Sequence, residues 1–517
     1  MGSSVRQPDM TYTMTSAALE VANTDYRTLI IGQITDAGSV ADQSLTENIG
    51  NEGTEDALFG ASSQAASMVR AFKKINTVSQ LDVLALDDAS GTPETKVVTF
   101  GSGPAASSGT YYVTIGSKTN HRLAVGVTIA DTVTEIGDAV EAACLADTRC
   151  PFTASNAAGV VTFTADNEGL LANDLPVEVE GTITDVTVAV VASGVGATDP
   201  TINAALFALL GDRRYQGIIF PYSADHAVAT TFLESRFNAS NIILDGVAFT
   251  HITDDYAAMG ALAAATNSQT LVIFGDEAQA DPLYKGPSLK EPMYDAVAQF
   301  VAVRALRMTE GASLSQWLTT TAAKDQYGGM SLASLPYFNT VLDLPVILDK
   351  HGWSNTQMEG LHDLGIAVIG RNIAGDGPLV GEVPTTYLTD GASNPDSTWK
   401  YLNVVDTVSG CREYFHTNSK SRFAQCRLTT GTVNEGRAMA NGPIIQAYLE
   451  KLYQQLADLS LVEDGADKVQ DFKDSIVISI AMATGTATAQ MEIPPVTQFR
   501  TLLATIQVVF SSSTTGG

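Results

Sequence analysis

YQGIIFPYS (215–223), HAVATTFLESRF (226–237), DGVAFTHIT (245–253), DDYAAMGALAAATN (254–267) and QTLVIFG (269–275) follow one another with at most seven residues between them. The first, third and fifth are short apolar runs of strand length, and the two between them have the length and composition of helices. Strand, helix and strand joined by short connections predict a parallel sheet with right-handed crossovers. The middle of the chain therefore reads as an α/β layer.

The same reading extends in both directions. RTLIIGQ (27–33) is a compact strand. DALFGASSQAASMVRAFKKIN (56–76) sets Leu58, Phe59, Ala65, Met68, Val69 and Phe72 near helical spacing, and LDVLALDD (81–88) is a buried strand. EPMYDAVAQFVAVRALRM (291–308) adds a strongly apolar helix; LHDLGIAVIGRN (361–372) and LVGEVPTTYLT (379–389) supply further strands. Between these parts, residues 91–200 are rich in Thr, Val, Ala and Gly. Strand-like runs at KVVTF, TYYVTIG, HRLAVGVTI, GVVTFTA and VTVAVVAS surround one helical stretch, TVTEIGDAVEAACLA. Over 91–199 thirteen acidic residues face four basic ones, a net charge of −9, which fits a well-solvated, peripheral β-rich insertion.

The last hundred residues read differently. VVDTVSGCREYFHTNSKSRF (404–423) and PIIQAYLEKLYQQLADLSLVED (443–464) are helices, the second opened by Pro443 with Ile444, Ile445, Tyr448, Leu449, Leu452, Tyr453 and Leu456 on one face. DSIVISI and TATAQMEI are strands. In the final stretch Leu502, Ala504, Ile506, Val508 and Phe510 share one parity, and Thr501, Thr505 and Gln507 the other. That is the period-two pattern of a strand with one buried face, and no tight hairpin turn precedes it. It can complete its own sheet or another subunit's. TYTMT (11–15), with Tyr12 and Met14, alternates in the same way at the other end.

The expected fold class is multidomain α/β and α+β. An α/β domain (26–90 and 201–399) is interrupted by the insertion (91–200). A helix-plus-sheet domain (400–499) follows, with arms at 1–25 and 500–517.

Composition narrows the function. The 517 residues hold 57 acidic and 29 basic side chains, a formal charge of −28. Such an excess repels nucleic acid and anionic membranes, and no run approaches the 18 apolar residues of a membrane span. Direct nucleic-acid binding and membrane insertion are not expected. The four cysteines show no Cys-x-x-Cys pair and no zinc-ligand spacing. They read as reduced thiols of a chain folded in a cytoplasm.

Catalytic signals are sparse. GDGPLVGE (375–382) lacks phosphate-loop spacing and reads as a turn between strands. THITDDY (250–256) joins His251 to Asp254 and Asp255 after a strand, where α/β enzymes place catalytic groups. The competing reading makes Thr253 or Asp254 the cap of the next helix, with Asp255 in its first turn. An enzyme site there is the alternative function. His226, His351 and His362 are isolated. No cofactor or metal ligand set is expected. Between 400 and 437 six basic residues face three acidic ones, against the trend of the chain. Arg412, Lys420, Arg422 and Arg427 are candidates for contact with an acidic partner or another copy; the plain alternative is a solvated helix face.

YRTLIIGQ, ALFGASSQAASMVRAFKKIN, TYYVTIGSKTNHRLAV, LHDLGIAVIGRN, YLNVVDTVSGCREYF and IPPVTQFRTLLATIQVVF, in that order and spacing, resemble the tail sheath proteins of contractile phage tails, most closely those of the phage Mu type. The resemblance covers nearly the whole chain. It implies a structural protein of the virion tail, assembled in the host cytoplasm as six-fold rings stacked helically around a tube. Contraction would drive the tube through a target envelope. The implied partners are further copies, the tail tube, the baseplate and the tail terminator. The implied inner region is C-terminal, and both arms would add strands to neighbouring subunits.

Overall fold

The computed structural model describes residues 26–50, 53–88, 91–237, 243–277, 289, 291–308, 337, 340–344, 353–371, 378–433, 437–458 and 461–496. Its largest sheet has nine strands. Arg27–Gln33 lies between Gln80–Leu86 and Gly217–Ile219. Val247–Asp254, Leu271–Glu277 and Ile366–Arg371 continue the sheet, and these six strands are parallel to one another. Antiparallel strands close both edges: Ser44–Thr46 on one, Pro378–Val380 and Thr340–Val341 on the other.

The apolar runs are continuous because both faces are covered. Ile30 faces a core shared with Ala65, Phe72, Phe249 and Val301, whereas Leu29 and Ile31 face one shared with Leu233, Met259 and Leu361. Gln64–Ile75 and Met293–Met308 pack together on the first face. In the latter helix every residue from Met293 to Leu306 is buried, as expected of a helix enclosed on all sides.

Where one helix was expected over 56–76 there are two, Thr54–Phe59 and Gln64–Ile75. Gly60 at φ 87° ends the first, and the Ser63 side chain caps the second by accepting from the Ala66 amide at 3.1 Å. The strand expected over 379–389 extends only over Pro378–Val380. Beyond it the backbone is held by single bonds, Thr385 N–H to Lys400 O (2.7 Å) and Thr386 N–H to Leu271 O (3.0 Å).

The large sheet takes strands from both sides of residues 95–194, and these residues build two antiparallel sheets of their own. One orders Val186–Gly194, Thr95–Ser102, Val160–Ala165 and Phe152–Ala157; the other orders Ser117–Val127, Gly109–Ile115 and Val177–Glu180. The helix Val133–Ala146 packs on them behind a capping box of Thr132 and Glu135.

Near the C-terminus Leu402–Phe423, Gly442–Asp458 and Ala466–Ser475 are helices, and Val477–Ala481 pairs with Thr486–Gln490 in a hairpin. Phe415, Leu449, Leu452, Tyr453, Leu456 and Phe472 form their core. Among the described residues no helix is long and apolar enough to cross a membrane.

Candidate functional site

The residues of the enzymatic alternative do not converge. His251 lies within the strand Val247–Asp254, only 4% exposed, with Tyr294 as a ring neighbour at 6.3 Å. Asp255, rather than Thr253 or Asp254, is the cap of Tyr256–Ala264, accepting from the Ala258 amide at 2.8 Å. Asp254 accepts from the Asp255 amide at 2.8 Å. A cavity lined by Gln33, Gln64 and Tyr294 has about 20 Å³, room for one water. Among the described residues no group of three His, Cys, Asp or Glu could hold a metal ion.

Burial lowers the His251 pKa to about 4. Below the ordinary value of 6.5 the unfolded chain binds a proton there and the folded chain does not. Stability that is fully present above that value is therefore lost as pH falls through the window down to about 4, a contribution of order 3 kcal/mol. Imidazole NMR should show His251 titrating near the bottom of this window, and His251→Gln should remove this share of the pH dependence while leaving that of His362, whose burial also lowers its pKa to about 4. A midpoint near 6.5 would contradict the burial.

The basic segment divides sharply. Lys400 pairs with Asp363 at 3.0 Å, Asp406 with Arg304, and Glu413 with Arg214. Arg412 pairs with Asp245 at 2.8 Å and donates to the Phe237 carbonyl. Arg412 thus binds the helix Leu402–Phe423 to the chain around the large sheet. Lys420, Arg422 and Arg427 are exposed, and among the described residues no acidic side chain pairs with them. Lys420 and Arg422 occupy the last turn of their helix, where cations complement its dipole. Two of the exposed cations therefore sit at one helix end, with Arg427 just beyond it at the start of the strand Arg427–Leu428 and Arg437 exposed further along.

The hairpin Val477–Ala481 and Thr486–Gln490 is the second exposed feature. Ile478 packs toward the core under Gly442–Asp458, while Val477 is 59% exposed and the whole strand Thr486–Gln490 is exposed. Neither outer edge pairs with a third strand among the described residues. Such edges present unpaired N–H and C=O groups that can template another strand. The hairpin was readable as two strands, but its open edges were not. The expected arm residues Tyr12, Met14, Leu502, Ala504, Ile506, Val508 and Phe510 lie outside the described residues.

No family model matches the sequence. Over 427 residues, 79% of this chain and 78% of the relative, it is 25% identical to the Mu-like prophage FluMu tail sheath protein of Haemophilus influenzae. Among solved structures, a sheath tail protein from Listeria innocua aligns over 92% of each chain at 13% identity with a TM-score of 0.45. The helical sheath of the anti-feeding prophage in its contracted state aligns over 93% of each at 9% identity with a TM-score of 0.46. The family that this sequence resembles and the family of its curated relative are therefore one, the tail sheath proteins of Mu-like phages.

Proposed function

We propose that the chain is the structural subunit of a contractile tail sheath, polymerising as stacked hexameric rings around a tail tube and contracting to drive the tube through a target envelope. The observation that carries this reading is the sequence relation to a tail sheath protein over about four fifths of both chains. On it, residues 26–90 and 201–399 form the sheath domain and 91–200 face outward. Residues 400–499 face the tube, and 1–25 and 500–517 are exchanged arms. The subunit is assembled in the host cytoplasm and works in the virion tail, in contact with tube, baseplate and tail terminator.

Two features support the finer picture. The C-terminal hairpin has edges that can receive strands, and the alternating pattern of 500–510 supplies a strand to give. Lys420, Arg422 and Arg427 form a cationic end on an otherwise acidic chain, suited to an acidic tube surface or an acidic face of another copy.

Negative-stain microscopy of the purified protein tests the proposal, with tubes or stacked rings as the expected result. Lys420→Glu, Arg422→Glu and Arg427→Glu together should shorten or abolish them, with the wild-type assembly itself sensitive to salt. A uniform small particle at every salt and protein concentration would overturn the structural reading. Tubes unaffected by the triple reversal would return the three cations to a solvated helix end.

A further inference from the structure

Cys144 and Cys150 both lie inside the segment between the first and second parts of the large sheet. Cys144 lies in the last turn of Val133–Ala146. A turn through Asp147, whose carbonyl accepts from the Cys150 amide at 3.0 Å, brings Cys150 back against it. The two sulfurs are 3.7 Å apart, and the residues are 1% and 3% exposed. The Cys144 thiol also lies 3.3 Å from the Phe152 carbonyl at the start of the strand Phe152–Ala157. Two small apolar fillers of a core need not point at each other. These two thiols do.

We propose that Cys144 and Cys150 are an oxidisable pair that closes to an intrachain disulfide when the folded protein meets an oxidising medium. A disulfide needs sulfurs about 2.0 Å apart, so the side chains must approach by about 1.7 Å. The five residues between them are the helix end and a turn, held from outside by the Asp147 pair to His121 at 2.7 Å and the Arg149 pair to Asp56 at 2.8 Å, so closure asks for a side-chain approach within an anchored turn. A small-molecule disulfide such as oxidised glutathione supplies the oxidising equivalent. One cysteine sulfur, losing its proton, attacks the reagent and expels one thiol. The second, losing its proton, attacks the mixed disulfide and expels the other. One S–S bond forms as one breaks, and two electrons pass to the reagent. Contact with Cys144 together with burial holds the Cys150 thiol protonated, its pKa pushed far above the usual thiol range. The pair therefore reacts slowly and persists as thiols in a reducing compartment. Closure would fasten the end of Val133–Ala146 to the strand that follows, whatever the protein assembles into.

The test uses full-length protein carrying Cys426→Ser, which removes the half-buried thiol most able to react between chains. The folded protein is incubated with oxidised glutathione, unfolded in guanidinium and its thiols counted. The count should fall from three to one, leaving Cys411, and peptide mapping should find residues 144 and 150 joined. The unfolding temperature should rise by a few degrees after oxidation and return on reduction. Three thiols remaining in protein oxidised while folded would overturn the proposal. So would a stable glutathione adduct without ring closure, or a link from either residue to Cys411.

Discussion

Replacing Asp406 by Ala should lower folding stability by about 3–5 kcal/mol, measured by urea or thermal unfolding. Asp406 accepts from Arg304 Nε at 2.9 Å, from a second guanidinium nitrogen and from the Tyr337 hydroxyl at 2.6 Å. The Arg304 and Asp406 side chains are 3% and 2% exposed. Arg304 also donates to the Gln216 carbonyl at 2.8 Å and to the Tyr26 hydroxyl, with the Phe249 ring 5.2 Å away. The cluster ties the helix Leu402–Phe423 to Met293–Met308 and to the entry of the central strands. Without the carboxylate a guanidinium stays buried beside apolar rings with its main partner gone. Arg304→Met with Asp406→Leu should recover much of the loss, because both desolvated charges leave together. A loss under about 1 kcal/mol in the single variant would mean that the pair is as solvated as a surface salt bridge.

Removing residues 501–517 should abolish sheath assembly while leaving the monomer folded. A ladder of several backbone bonds, each worth about 0.5–1.5 kcal/mol net, is enough to join neighbours when every subunit gives and receives a strand. Ile506→Pro removes one donor and obstructs pairing without shortening the chain, and it should have the same outcome. Microscopy reads the assembly and circular dichroism melting reads the monomer. A sharp fall in melting temperature would show that the strand completes its own subunit's sheet. A truncated protein that still polymerised would remove the strand from assembly altogether.

The parallel sheet was legible because its strands are apolar on both faces and its helices have helical length. Val247–Asp254 and Met293–Met308 lie where their apolar runs predict. Two strands of the insertion were not legible. Phe152–Ala157 is FTASNA, small and polar, and Val177–Glu180 is VEVE, short and half charged; pairing with neighbours makes them strands, not their own propensity. The break at Gly60 was hidden because apolar spacing carries across GASS in step with a helix. The functional residues were harder. Arg304 and Asp406 are 102 residues apart, and Arg412 finds Asp245 at a separation of 167. Nothing local distinguishes such cations from the exposed Lys420 or Arg422; only the tertiary fold assigns each its surroundings.

The order of strands also bears on how the protein is made. When Leu86 leaves the ribosome, Arg27–Gln33 can pair with Gln80–Leu86, but its other neighbour, Gly217–Ile219, does not yet exist. The intervening 130 residues must be translated first, which takes roughly 7–26 s at about 5–20 residues per second. During that delay the nascent chain displays the edge of Arg27–Gln33, an apolar template for unwanted pairing. The antiparallel sheets of residues 95–194 need nothing synthesised later to pair with one another. Their folding while the ribosome continues would keep the chain compact beside that edge, and fast overexpression in a cell short of chaperones should reveal the exposure as aggregation of the nascent subunit.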